Sequence, residues 1–137
     1  MKTQNDFFVV NFTGVDLYRS GSGTCPNLDR VRIPPREGPI DIEIYEKESN
    51  GKKMTYVDST SGGISTFDAP LPSKNKKMRW WKIPGGTVIP NGLLITKDHT
   101  IRETNITHYT IRPLNDMSLV EYKHLLRILA NSTRPIF

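Results

Sequence analysis

Only one stretch of this 137-residue chain carries helical periodicity, and it lies near the end. Leu119, Tyr122, Leu125, Leu126 and Leu129 recur at three- and four-residue steps, which puts them on one face of a helix. Asp116 or Ser118 can cap its start, with Glu121 completing a Ser-x-x-Glu capping box. The pattern fades at "NSTRP". A chain with one good helix must build the rest of its core from strands, so the fold class is α+β, with at most one or two further short helices.

The strands announce themselves by alternation. "ITHYTIRP", residues 106 to 113, sends Ile106, His108, Thr110 and Arg112 to one face and Thr107, Tyr109 and Ile111 to the other. "IDIEIYEKES" sets Ile40, Ile42 and Ile44 against Asp41, Glu43 and Tyr45, which predicts a strand with one wet face. Asn50-Gly51 then closes a hairpin. "MTYVDS", "MRWWKIP" and "VIPNGLLITKD" supply further short strands. "FFVVNFTG" and "VDLYRS" read as one strand bulged at Gly14, or as two short ones. Residues 20 to 40 are dense in Gly, Pro and Ser and predict a long loop, functional or mobile. "APLPSKNKK" interrupts ladders and helices alike. No repeat or boundary divides the chain, so residues 1–137 are expected to form a single domain.

Composition narrows the setting. At 36% hydrophobic and 24% charged residues the balance is that of a globular domain. No apolar run approaches the ~20 residues that cross a bilayer, and the start does not read as a signal peptide. A cytoplasmic protein with no membrane insertion is the expectation. Cys25 stands alone, so neither an internal disulfide nor a Cys-rich metal site is possible. His99, His108 and His124 lack zinc-ligand spacing, and no metal is expected. The net charge of +5 favours a polyanion or an acidic partner. Neither standard nucleotide-binding glycine motif occurs.

Three places carry candidate chemistry. Arg19 closes a strand just after Tyr18, as an ordinary edge cation or as a planar fork gripping phosphate or carboxylate. Ser65 and Thr66 follow Gly62-Gly63, as plain strand hydroxyls or as a polar shelf where backbone admits a ligand closely. Strand alternation keeps both hydroxyls from pointing into one site. His108-Tyr109 offers an acid, a base or a hydrogen-bond anchor beside a ring that can instead fill the core. Trp80-Trp81 puts one large ring on each face.

In order along the chain, "LYRS", "STSGGISTFD", "KIPGGTVIPNGLLITKD" and "THYTIRPLNDM" resemble the small toxin domain of type VI secretion effectors with an ADP-ribosyltransferase-like fold. The resemblance runs from about Leu17 to Met117. It implies a split antiparallel β-sheet core, few short helices, one C-terminal helix, and NAD as the bound nucleotide. It places an NAD phosphate on Arg19, makes Ser65 and His108 the catalytic candidates, and draws Ser65, Tyr18, Thr66 and Tyr109 into the NAD-binding set, with Ser65 on the nicotinamide ribose. The family's late glutamate has no counterpart, since Glu103 and Glu121 stand outside the expected motif. The activity implied is that of a glycosyltransferase-type toxin: an NAD-dependent ADP-ribosyltransferase, or an NAD glycohydrolase, acting on an unknown intracellular macromolecule. A non-enzymatic toxin or binding module that grips through the cleft or the "KNKKMR" loop is the alternative, and a basic nucleic-acid-binding domain the third. A cognate immunity protein that occludes the cleft is the implied partner, and the chain is expected to be a monomer.

Overall fold

The computed structural model describes residues 7–8, 13–72 and 78–137. Its elements are β1 (Phe7–Phe8), β2 (Leu17–Gly21), β3 (Ile44–Ser49), β4 (Lys52–Val57), β5 (Ile64–Phe67), β6 (Arg79–Ile83), β7 (Leu93–Ile101), β8 (Ile106–Pro113), β9 (Met117–Ser118), α1 (Leu119–Ala130) and β10 (Arg134–Pro135). The strands make a seven-stranded sheet in the order β1-β7-β8-β5-β2-β6-β10 and a three-stranded sheet in the order β3-β4-β9. All the recorded pairings are antiparallel. This is a mixed α+β fold with one C-terminal helix, consistent with a split ADP-ribosyltransferase-like core. No helix among the described residues is long and apolar enough to cross a membrane.

The helix forms where the leucine spacing predicts it. Ser118, in extended conformation, accepts a hydrogen bond on its side chain from the Glu121 amide at 3.1 Å. That satisfies one of the first-turn donors that a helix leaves unpaired. Tyr122, Leu125, Leu126 and Leu129 are buried in the hydrophobic core. Tyr122 lies wholly inside and donates its hydroxyl to the Ile111 carbonyl on β8 at 2.6 Å. Burial raises its pKa far above that of a free phenol.

The sheet face under the helix is a row of aliphatics set by strand register. Leu17 faces Ile83, and Ile64, Ile111 and Ile95 align across β5, β8 and β7. All five are fully buried. Asn50 and Gly51 adopt φ of 53° and 77°, the left-handed pair that a two-residue hairpin requires between β3 and β4.

One expectation resolves and another changes. Of the two readings of the first apolar stretch, two short strands is the one seen: β1 pairs with β7, whereas β2 lies between β5 and β6. The alternating Ile40–Ile44 run does not enter the ladder as a whole, because β3 begins only at Ile44. Asp41 is diverted to residue 32 of the long loop. Its carboxylate accepts the Arg32 amide at 2.7 Å and the Arg32 guanidinium at 2.8 and 3.2 Å, and its own amide donates to the Arg32 carbonyl. A side-chain clasp thus outcompetes strand pairing locally.

The glycine pair before Ser65 also gains a reason. A Cβ on Gly62 would stand 2.3 Å from the Asp41 carbonyl oxygen, and one on Gly63 the same distance from that of Ile111. Both neighbours are backbone and cannot swing away. The glycines therefore serve the close crossing of β5 with its neighbours. Gly63→Ala is expected to destabilise the protein by about 2 kcal/mol or more, measured by urea unfolding. A loss under about 0.5 kcal/mol would contradict this close approach.

Candidate functional site

The site starts from an opening in the large sheet. β2 pairs with β6 over its whole length, from Leu17↔Ile83 to Gly21↔Arg79. With β5 it pairs at one position only, Tyr18↔Phe67. Beyond that bridge the seam between β2 and β5 is not laddered, and the Arg19 side chain reaches across it. Its Nη1 donates to the Ser65 carbonyl at 2.9 Å. The guanidinium thus takes over an acceptor that a regular ladder would have paired with backbone.

The rest of that guanidinium is not satisfied. Nε of Arg19 is buried and has no hydrogen-bond partner among the described residues. Burial lowers its pKa, Asp41 opposes that shift, and Arg32 adds to it. A half-buried cation with an orphan donor is costly to keep. Its natural complement is an anion.

The surroundings multiply the positive charge. Arg19, Ser20, Asn27, Arg30, Arg32 and Arg36 line a cavity of about 440 Å3. Four arginines and no carboxylate face it. The long loop supplies its outer wall, held down by Leu28 and Ile42, both within the core, and by the Asp41–Arg32 clasp. The clasp also raises the Arg32 pKa, chiefly through its hydrogen bond to Asp41. A cavity of this size, lined by planar forks, suits a phosphate-bearing ligand.

A family model of the Tse2 ADP-ribosyltransferase toxins matches residues 14–135, from before β2 to the last strand. The chain belongs to that family. No curated protein matches it closely enough to add a relative.

Within this Tse2-type domain the residues singled out in the sequence fall on two faces of the sheet. Arg19, Thr66 and Tyr109 share the inner face, in one register row. Thr66 is fully buried and donates its hydroxyl to the Tyr109 carbonyl at 3.1 Å. Tyr109 is almost fully buried beside it, and burial, then Asp68, raises its pKa. Tyr18, Ser65 and His108 belong to the outer face, through the row Tyr18↔Phe67↔His108↔His99 and the neighbouring pair Ser65↔Thr110. The structure therefore does not bring His108 and Arg19 to one surface. Ser65 touches Arg19 through its carbonyl, not through its hydroxyl. Residues 73–77, which hold most of the "KNKKMR" loop, lie outside the described residues.

The outer face has its own polar cluster. A bulge in β7 between Lys97 and His99 turns Asp98 toward β8. Its carboxylate accepts the Thr96 hydroxyl at 3.0 Å and a short hydrogen bond from the Thr110 hydroxyl. Nδ1 of His108 stands 2.8 Å from the same carboxylate but is not aligned as a hydrogen bond, so the contact is a close electrostatic approach. The His108 ring lies between Phe67, at 5.2 Å, and a stacked His99, at 5.1 Å. Trp80 meets Phe67 edge-on, while Trp81 lies on the other side against Phe137. Among the described residues no group of three or more His, Cys, Asp or Glu side chains is placed to hold a metal ion.

Sequence reasoning passed over Arg30, Arg32, Arg36 and Asp98. The arginines were visible as "RVRIPPR", three planar forks inside a loop too rich in proline for any other regular use.

Asp98 yields a pH test. Burial pushes its pKa up, but contacts from His108, Thr110 and Thr96 outweigh burial and leave it below the ordinary value. A carboxylate with a lowered folded pKa stabilises the fold fully above its unfolded pKa, about 4. That contribution is lost as pH falls through the folded value. Asp98→Asn is expected to flatten the decline in melting temperature below about pH 4, read by thermal scans across pH. An unchanged acid limb would contradict the arrangement.

Proposed function

We propose that this toxin domain binds NAD by its diphosphate at Arg19, and that it splits NAD to transfer ADP-ribose or to hydrolyse it. The observation that carries the reading is the half-buried Arg19 guanidinium, with one donor spent on Ser65, lining a cavity walled by arginines. A diphosphate offers the acceptors that such a donor set lacks. Membership in the Tse2 ADP-ribosyltransferase toxin family supports the same ligand. NAD supplies a nicotinamide–ribose bond whose cleavage builds positive charge on the ribose.

The roles differ among the residues the resemblance implicates. Arg19 holds the diphosphate, with Arg30, Arg32 and Arg36 completing its charge complement. The Ser65 carbonyl orients Arg19, and Thr66 and Tyr109 brace the inner face beneath it. Tyr18 and His108 face the other way and take no part in gripping the diphosphate. An immunity partner covering this cleft would present acidic surface to it, and the toxin would act in the cytoplasm of the target cell.

A second reading rests on one specific observation. The cavity lining contains no carboxylate, and nearby Asp41 is engaged by Arg32. A toxin that grips an anionic partner without cleaving NAD fits that lining as well.

Purified protein incubated with NAD labelled in the nicotinamide separates the two. We expect nicotinamide release, and a loss of at least about 100-fold with Arg19→Ala. Arg19→Lys, which retains a donor for Ser65, guards against simple unfolding and is expected to lose at least about tenfold while melting near wild type. Undiminished release by a folded Arg19→Lys would overturn the diphosphate role. Toxicity without any release would favour the gripping module.

A further inference from the structure

The arginine cleft does not end at Arg19. A second cavity, of about 650 Å3, is lined by Asp29, Arg30, Val31, Arg32, Ile33, Arg36, Glu37, Lys123 and Arg127. Arg30, Arg32 and Arg36 line both cavities, so the two adjoin along the loop and the outer one ends against α1. Five cations face two carboxylates there; Arg127 is engaged by Asp29 at 2.9 Å and Arg32 by Asp41 at 2.8 Å, which leaves Arg30, Arg36 and Lys123. Arg30 and Arg36 are exposed, and Arg36 spends only Nε, on the neighbouring Glu37 carbonyl. No ion-pair partner of Arg30, Arg36 or Lys123 appears among the described residues.

We propose that this outer cavity is the acceptor subsite and that it takes a phosphate-bearing acceptor. The proposal rests on the NAD reading above for the word acceptor, and on the cavity alone for the ligand chemistry. The exposed forks of Arg30 and Arg36 and a lysine of the helix line a single space, beside an Arg32 held by Asp41. A phosphate has three acceptor oxygens and can bridge several of them, whereas one carboxylate satisfies one fork. Val31 and Ile33 add an apolar side on which a sugar or base can rest. Arg30, Arg32 and Arg36, common to both cavities, put that phosphate next to the nucleotide held at Arg19. In transfer, the C–N bonding pair leaves with nicotinamide, the acceptor atom bonds to the ribose carbon so freed, and its proton passes to water, so no further reagent is needed.

The test has a binding arm and a labelling arm. Fluorescence anisotropy of a labelled single-stranded RNA oligonucleotide without NAD reads the cavity directly, with a mononucleotide as competitor to tell a strand from a free phosphate ester. We expect affinity to fall steeply with salt, and Lys123→Glu/Arg127→Glu to weaken it at least about tenfold. The same double variant lies outside the inner cavity, so it should still release nicotinamide from NAD while losing label transfer to the phosphate-bearing acceptor. Release lost in the wild type would count against the NAD reading, while oligonucleotide or mononucleotide binding that follows Lys123 and Arg127 would leave the phosphate site standing. Binding that ignores the double variant, or label that goes to an acidic protein and never to a phosphate ester, would overturn the proposal.

Discussion

The hydrogen bond from Arg19 to the Ser65 carbonyl closes a sheet that its backbone leaves open. β2 and β5 meet at a single bridged pair, and past it a guanidinium stands where a ladder would continue. A side chain can satisfy a carbonyl and still turn its remaining donors elsewhere, which backbone in a ladder cannot. The fold therefore gains closure and a directed cation from one residue. The cost is a half-buried, incompletely paired charge, which an anion would offset.

The long loop turns this single cation into a surface. Leu28 and Ile42 sink into the core and hold the loop against the sheet, while the Asp41 clasp fixes Arg32. Arg30 and Arg36 are then carried on a fixed backbone facing Arg19. Like charges gathered this way repel one another, and the repulsion is relieved when a negatively charged group enters. Donors held in place before the ligand arrives lose little entropy on binding. The inner face below is braced by Thr66 and Tyr109, so the cleft is backed by packed structure.

Much of this architecture can be read from the residues. The leucine spacing and the Ser118 cap specify α1, strict alternation specifies β8 at its observed bounds, and Asn50-Gly51 specifies a hairpin. These are local signals, and local physics decides them. The cleft wall escapes such reading because Leu28 has no periodic partner and the alternation around Ile42 belongs to no ladder, so both find the core through long-range contact. Asp41 escapes it because its alternation with Ile40 and Ile42 mimics a strand until Arg32 claims the carboxylate. The candidate residues were legible one by one, but their division between two faces depends on which strands become neighbours. That follows from the sheet order, in which β5 separates β2 from β8.

The central claim is that Arg19 receives the diphosphate of NAD in the seam between β2 and β5. A crystal structure of the protein with a non-hydrolysable NAD analogue tests it most directly. The account predicts diphosphate density within hydrogen-bond distance of the Arg19 guanidinium, facing Arg30, Arg32 and Arg36. Diphosphate density on the outer face beside His108 and Phe67, with Arg19 untouched, would contradict it.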